Sequence, residues 1–252
     1  MPRFAVILPA AGRSSRFKDK EKKPFVNLDG RAVWLRTAEL FVTRDDVVKT
    51  YLVIDKDDEE MVRRRYTPNM AFMNVQLVHG GRERFESVAN ALKVLGPEAD
   101  FVAVHDAVRP CATGELISAV FAKAAEAGAA LLAVPVADTV KRVDDRGKVL
   151  GTLPRQGLWL AQTPQVFRRD WLEAAYAGRG QLKQAITDDA QLIEAAGHPV
   201  AVVEGSPLNL KITTKSDLSL ADAVLKSRPK PKGTGPIHPF AEEEMWGGRG
   251  LK

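Results

Sequence analysis

The feature that most constrains this chain is a series of short apolar runs separated by helical patterns. The runs are Phe4–Pro9 (FAVILP), Thr50–Ile54 (TYLVI), Asn74–Val78 (NVQLV), Phe101–Val104 (FVAV), Ala130–Val134 (ALLAV) and Val200–Val203 (VAVV). Several are nearly continuous in apolar residues, as parallel strands covered on both faces must be. Between them, Ala32–Val42, Glu86–Leu95 and Glu115–Ala127 carry apolar residues at three- and four-residue spacing. Thr113 reads as the N-cap of the third of these helices and Gly128 as the glycine that ends it. Alternating strand and helix predicts an α/β fold with a mostly parallel sheet flanked by helices.

Two segments break the rhythm. From Val136 to Leu160, alternating apolar residues flank "DDRG", a hairpin signal. This predicts an antiparallel β-arm over about 136–160, inserted into the parallel fold outside its core. From Lys226 to Lys252 the chain is rich in Pro, Gly and charge, which predicts a disordered tail after a domain spanning 1–225.

The chain of 252 residues is long enough for one large domain or two small ones. Its net charge of +5 and pI near 9.3 suit a protein that handles anions, without choosing among nucleotides, sugar phosphates and nucleic acid. A single cysteine, Cys111, excludes an internal disulfide, and no Cys/His cluster has zinc-site spacing. A reducing, cytoplasmic setting is expected. No apolar run approaches the roughly 20 residues of a membrane span, and the N-terminus leads straight into a strand rather than a signal peptide.

The loop after the first strand, "LPAAGRSSRFKDKEKKPF", crowds Arg13, Arg16, Lys18, Lys20, Lys22 and Lys23 against Asp19 and Glu21 alone. Ligands of open α/β sheets bind at the carboxyl ends of strands. Pro9 ends the strand, and Ala10, Ala11 and Gly12 are small enough for their backbone N–H groups to approach a phosphate. Neither GxxxxGK[ST] nor GxGxxG is present, so this is not one of the two common glycine-rich phosphate loops. Arg16 and Lys23 are the candidate phosphate cations, whereas Lys18, Lys20 and Lys22 read as solvated charge.

Other polar islands also follow strands. In "VHDAVRP", Asp106 is a candidate metal or ribose ligand and Arg109 a phosphate contact, or the two pair to close a turn; His105 is a candidate catalytic group, though with no nucleophile nearby it reads better as structural. In "HGGRERFESV", Gly80 and Gly81 permit close approach beside a helix start near Glu86 and Ser87. "LNLKITTKSDL" puts Lys211 in a short strand-like run, with Ser216 as N-cap of the last helix. There is no Ser-His-Asp triad or cysteine nucleophile, and no carboxylate pair placed for glycoside cleavage. Cations from several strand ends with one acid suit phosphoryl-type transfer, which asks for positioning and charge neutralisation.

The segments "PAAGRSSRF", "KKPF", "GGRERFESV", "VHDAVRP", "DTVKR", "AQTPQVF", "TDDAQLIE" and "NLKITT" occur in this order from about Phe4 to Leu225. In this the chain resembles the 2-C-methyl-D-erythritol 4-phosphate cytidylyltransferases of the non-mevalonate isoprenoid pathway. The resemblance implies a Rossmann-like sheet of the nucleotidyltransferase type, with CTP and 2-C-methyl-D-erythritol 4-phosphate as substrates and Mg²⁺ or another divalent cation as cofactor. It implies that Arg16 and Lys23 stabilise the transition state, and that Arg155 and Lys211 act on the alcohol phosphate. It further implies CTP contacts from Pro9, Ala10, Ala11, Gly12, Gly81, Ser87, Asp106 and Ala107. Asp106, Arg109, Thr139, Arg155, Thr163 and Lys211 would hold the alcohol phosphate. Asp106 is a possible metal ligand, the metal being held mainly by CTP phosphates. Thr139 and Arg155 would reach from the β-arm into a partner's site, making a homodimer. Two departures stand out: Ser14 replaces a common second loop glycine, and Arg82 stands where some members carry an acid.

Two other readings remain open on sequence grounds. A ribitol 5-phosphate cytidylyltransferase would share the CTP half, though "DTVKR" and "TDDA" look more like the methylerythritol enzymes. A basic α/β module binding nucleotide or RNA would explain the charge, but no aromatic-interleaved basic surface accompanies it. Neither a nucleic-acid nor a membrane partner is expected.

Overall fold

On the first strand, Phe4, Val6 and Leu8 face one hydrophobic cluster and Ala5 and Ile7 face another, so both sides of the strand are covered. In this computed structural model, which describes residues 1–12, 17, 21–181 and 186–228, that strand lies inside a seven-stranded sheet. The strands are β1 (Phe4–Pro9), β4 (Val47–Ile54), β5 (Val75–His79), β6 (Phe101–Val104), β7 (Ala129–Pro135), β10 (Trp159–Arg168) and β11 (Ala201–Glu204). Their order is β11-β7-β10-β6-β1-β4-β5. All neighbours run parallel except β10, which is antiparallel to both β6 and β7. Short clips pair β2 (Asn27–Leu28) with β3 (Arg31–Ala32), and β8 (Val140–Val143) with β9 (Val149–Leu153).

Helices α1 (Val33–Val42), α2 (Glu59–Phe72) and α4 (Gly114–Ala127) cover one face, burying Trp34, Phe41, Tyr66 and Phe121. Helices α3 (Arg84–Leu92), α5 (Arg169–Gly178) and α6 (Ala190–Ala195) cover the other, with Val88, Leu172 and Ile193. Helix α7 (Lys215–Ser227) packs Ala221 and Val224 on Val33, Val108 and Ile212. Thr113 caps α4 by accepting from the Leu116 N–H, and Gly128 ends it at φ 87°. A side chain at Gly128 would meet Trp171 as well as backbone strain.

The mostly parallel α/β expectation holds, with these differences. First, β10 is a core strand that the pattern conceals, because Pro164 and polar Gln162, Thr163 and Gln165 interrupt it. Its pairing with β7 breaks between Ala161 and Gln165, where those residues leave the ladder. Second, the arm is shorter than 136–160: the exposed hairpin is β8–β9, and Trp159 and Leu160 already pair with β7. Third, α7 is capped by Thr214 rather than Ser216, with Asp217 completing a capping box. Fourth, Lys211 lies in an irregular segment and not in a strand. Helix α7 also runs past residue 225 to Ser227, and Arg228 then donates to the carbonyls of Cys111 and Ala112. The remainder of the expected tail lies outside the described residues.

Candidate active site

Strand order reverses around β1: the chain moves outward through β4 and β5, then returns to β6 on the other side. Such a switch point opens a crevice at the carboxyl ends of the strands. Backbone bonds continue one residue beyond each strand. Ala10 N–H donates to Val53 O at 2.7 Å, Gly80 N–H to Ile54 O at 2.7 Å, and His105 N–H to Ile7 O at 2.9 Å. The loops after β1, β5 and β6 therefore start side by side.

They enclose a cleft of about 200 Å³ lined by residues 9–12, Lys23, Pro24, residues 81–84, Ser87, Asp106, Val108 and Lys211. Gly80 lets two of the loops touch. A Cβ there would fall 2.6 Å from Ala11 Cβ and 2.7 Å from Ser87 Oγ. Ser87 ties the glycine loop to its helix, accepting from Gly81 N–H and donating to Glu83 O, each at 3.2 Å. Glu83 and Glu86 form a capping box that fixes the start of α3.

Lys23 opens a 3₁₀ turn whose Pro24 and Phe25 are buried. The residues before it are anchored. Lys22 Nζ lies 2.7 Å from Asp58 and 3.4 Å from Asp55, and Arg65 reaches Glu21 at 2.6 Å. Lys22 is thus a structural tether for the turn that presents Lys23, not the solvated charge its sequence context suggests. Arg16, Lys18, Lys20 and the Ser14 departure lie outside the described residues.

Asp106 is 7% exposed and gathers cations from three elements. Lys211 Nζ is 3.0 Å and Arg109 Nε 3.2 Å from its Oδ2, while Arg84 Nε is 3.8 Å from its Oδ1. Burial alone would raise the carboxyl pKa, but Lys211, Arg84 and Arg109 outweigh it and hold Asp106 well below the usual carboxylate range. The pairing of Asp106 with Arg109 also closes a turn, with Arg109 N–H donating to Asp106 O at 3.0 Å.

His105 supports this acid from below. Its Nε2 faces the Arg109 carbonyl at 3.0 Å, and a carbonyl only accepts, so Nε2 carries the proton. Nδ1 then accepts from Thr163 Oγ1 at 3.1 Å, and that oxygen accepts the Asp106 N–H at 3.0 Å. Burial lowers the His105 pKa to about 4, consistent with a neutral, structural histidine. Asn209 locks the other side. It donates to Thr163 O at 2.9 Å and Gln162 Oε1 at 3.2 Å, and its carbonyl accepts from Arg109 Nη1 at 2.6 Å. With Ile212 N–H bound to Val108 O at 2.9 Å, these contacts fix the segment that carries Lys211.

Of the residues singled out from sequence, Pro9, Ala10, Ala11, Gly12, Lys23, Gly81, Ser87, Asp106 and Lys211 line the cleft. Ala107, Arg109 and Thr163 are buried beside it and do not line it. Thr139 and Arg155 are exposed on the arm, where Arg155 donates to the Ala137 carbonyl. Sequence reasoning missed Arg84, which lines the cleft and pairs with buried Asp189 at 2.7 Å. The "TDDA" segment was the available signal, but nothing local linked its Asp189 to Arg84, 105 positions earlier.

A small-residue loop and a capped glycine loop at parallel strand ends, with cations converging from separate elements, define a site of the nucleotidyltransferase class. The family model "IspD: 2-C-methyl-D-erythritol 4-phosphate cytidylyltransferase" matches residues 4–227. A 2-C-methyl-D-erythritol 4-phosphate cytidylyltransferase of Pelotomaculum thermopropionicum is 42% identical over 229 residues, covering 90% of this chain and 96% of that protein. A bifunctional IspD/IspF enzyme of Desulforudis audaxviator is 44% identical over 230 residues, covering 91% of this chain and 58% of the longer protein. The crystal structure of the 4-diphosphocytidyl-2C-methyl-D-erythritol synthase of Anaerococcus prevotii superposes with a TM-score of 0.76 at 32% identity, covering 89% of this chain and 96% of that one. The Thermus thermophilus cytidylyltransferase gives 0.74 at 30% identity, covering 90% and 100%. The chain belongs to the IspD family. Among the described residues no helix is long and apolar enough to cross a membrane.

Proposed function

We propose that this cleft transfers the cytidylyl group of CTP to 2-C-methyl-D-erythritol 4-phosphate, releasing pyrophosphate, as a step in isoprenoid precursor biosynthesis in the cytoplasm. The observation that carries this reading is the meeting of three strand-end loops with the Lys211 segment in one cleft. Small backbone, four cations (Lys23, Arg82, Arg84 and Lys211) and two carboxylates (Glu83 and Asp106) share its wall.

The chemistry suits the lining. A phosphomonoester has its second pKa near 6 and is mostly a dianion at neutral pH, so it is a nucleophile without a general base. Among the described lining residues there is no histidine or cysteine. A phosphate oxygen of the alcohol phosphate attacks the α-phosphorus of CTP. The bond from that phosphorus to the β-bridging oxygen breaks, and pyrophosphate leaves. The protein's part is to hold two polyanions together and stabilise the charge that builds as they react.

In this reading the Ala10–Gly12 backbone, after Pro9, cradles the triphosphate, Gly81 and Ser87 meet the cytosine side, and Asp106 and Ala107 lie by the ribose. Arg16 and Lys23 stabilise the reacting phosphates. Lys211 holds the alcohol phosphate, and Arg109 and Thr163, buried behind the cleft, brace Asp106 and the loop that carries it. Thr139 and Arg155 serve a partner's site through a homodimer made by the arm. Exposed apolar side chains of that region, Leu150, Leu153, Trp159 and Leu160 among them, support such a contact.

The described cleft wall carries two carboxylates: Asp106, which three cations already face, and Glu83, whose side chain caps α3. That donor set is not a metal seat by itself. A divalent cation would instead be held mainly by the triphosphate oxygens, where it would supply charge neutralisation.

The alcohol is tested by separate turnover assays with CTP and either 2-C-methyl-D-erythritol 4-phosphate or ribitol 5-phosphate. Faster conversion of the methylerythritol compound is expected; faster conversion of ribitol 5-phosphate would overturn the assignment.

A further inference from the structure

Arg84 occupies a place that helix stability does not explain. It is the first residue of α3, where the helix dipole favours an anion and disfavours a cation. The capping box of Glu83 and Glu86 already satisfies that terminus. Its partner is equally costly to place. Asp189 is 1% exposed, and burying a carboxylate carries a penalty of several kcal/mol per ion. Yet Asp189 is held at its Oδ1 and its backbone, while its Oδ2, without a hydrogen bond, is left to the charge of Arg84. Tyr176 donates to its Oδ1 at 2.5 Å, and Gln165 Oε1 accepts the N–H groups of Asp189 and Ala190 at 3.2 and 3.1 Å. What these placements jointly achieve is the position of one guanidinium beside Asp106.

The two oxygens of Asp106 are used differently. Oδ2 faces Lys211 at 3.0 Å and Arg109 at 3.2 Å. Oδ1 faces Arg84 at 3.8 Å, beyond hydrogen-bond distance, while Asp189 draws the same guanidinium to 2.7 Å. An ionised carboxylate only accepts hydrogen bonds and repels phosphate. Its open oxygen in an anion cleft therefore suits a hydroxyl of the ligand.

We propose that Arg84 is a positioning residue held off Asp106 by Asp189, so that Asp106 Oδ1 stays available to a sugar hydroxyl of the bound nucleotide. The inference rests on the reading of the cleft as a CTP site. Without the charge of Asp189, the guanidinium closes onto Oδ1 and takes the place of the hydroxyl. Asp189→Asn keeps the shape and the Tyr176 partner while removing that charge. Adding Arg84→Met removes the blocking cation and leaves a neutral pair of similar volume, a change that buried ion pairs often tolerate.

The test is calorimetric titration of CTP, 2′-deoxy-CTP and 3′-deoxy-CTP into the whole protein and these variants. The wild type is expected to bind CTP at least about tenfold more tightly than the weaker of the two analogues, the worth of one hydrogen bond to a charged group. In Asp189→Asn that preference shrinks to within about threefold, and in Arg84→Met/Asp189→Asn it returns to about tenfold. A packing role alone would weaken all three ligands together. A preference unchanged in Asp189→Asn, absent in the wild type, or not restored in the double variant overturns the proposal. Wild-type protein that binds CTP but releases no pyrophosphate with the alcohol phosphate overturns the functional reading instead, and the ratios still decide the role of Arg84.

Discussion

Lys211 and Asp106, carried by the segment after β11 and the loop after β6, meet at 3.0 Å between Nζ and Oδ2. The Lys211 side chain is still 39% exposed, so it reaches the cleft without being consumed by the core. Removing a preorganised electrostatic stabiliser typically lowers turnover by about 10²–10³. Lys211→Ala is therefore expected to lose about that much in kcat with a melting temperature close to wild type. A loss confined to stability would assign Lys211 to the scaffold.

Gly80 is the contact point of two cleft loops. A Cβ there must displace Ala11 or Ser87. Overpacking of this kind costs about 1–3 kcal/mol. Gly80→Ala should lower the melting temperature and also raise the KM for CTP, because the small-residue loop after β1 and the glycine loop are pushed apart. Steady-state kinetics beside thermal unfolding check both halves; an unchanged KM would separate the contact from nucleotide binding.

His105 gives the fold a pH dependence of definite sign. Its pKa is about 4 in the folded chain because it is buried, and its ordinary value is 6.5. The unfolded chain therefore binds more protons between these values. The contribution, about 3 kcal/mol, is complete above pH 6.5 and is lost as pH falls towards 4. Urea unfolding at pH 7 and 4.5 should show wild type losing about 2–3 kcal/mol more than His105→Gln. Parallel losses would mean that His105 does not titrate with folding.

The arm residues test site sharing. Lys23→Ala and Arg155→Ala are each expected to be nearly inactive alone. If sites are completed by a partner's arm, random mixing gives half mixed dimers, each with one intact site, and about a quarter of wild-type activity. Mixtures that stay as inactive as their components would place Arg155 outside any shared site.

How much was legible in the sequence follows from locality. β1 and β6 announce themselves because burial on both faces forces unbroken apolar runs, and α4 because Thr113 and Gly128 mark its ends. β10 does not, because Gln162, Thr163 and Gln165 spend their polar groups on Asn209, His105 and Asp188 instead of facing solvent. α2 hides for a related reason: Val62, Tyr66 and Met70 make a narrow buried stripe and Pro68 reads as a breaker. In the site, family motifs identified the wall residues, but not what holds them. Lys22 looked like one more loop cation because Asp55 and Asp58 lie in another segment. Arg84 was not singled out, because its partner Asp189 arrives from beyond β10.

Cytidylyl transfer in this cleft, with Lys23 on its wall, is the function proposed. It is tested most directly by pyrophosphate release from wild type and Lys23→Ala supplied with CTP, a divalent cation and 2-C-methyl-D-erythritol 4-phosphate. Release is expected from the wild type only when both substrates are present, with a loss of about 10²–10³ in Lys23→Ala and the fold intact. Release by Lys23→Ala within twofold of wild type, or none from the wild type, would contradict it.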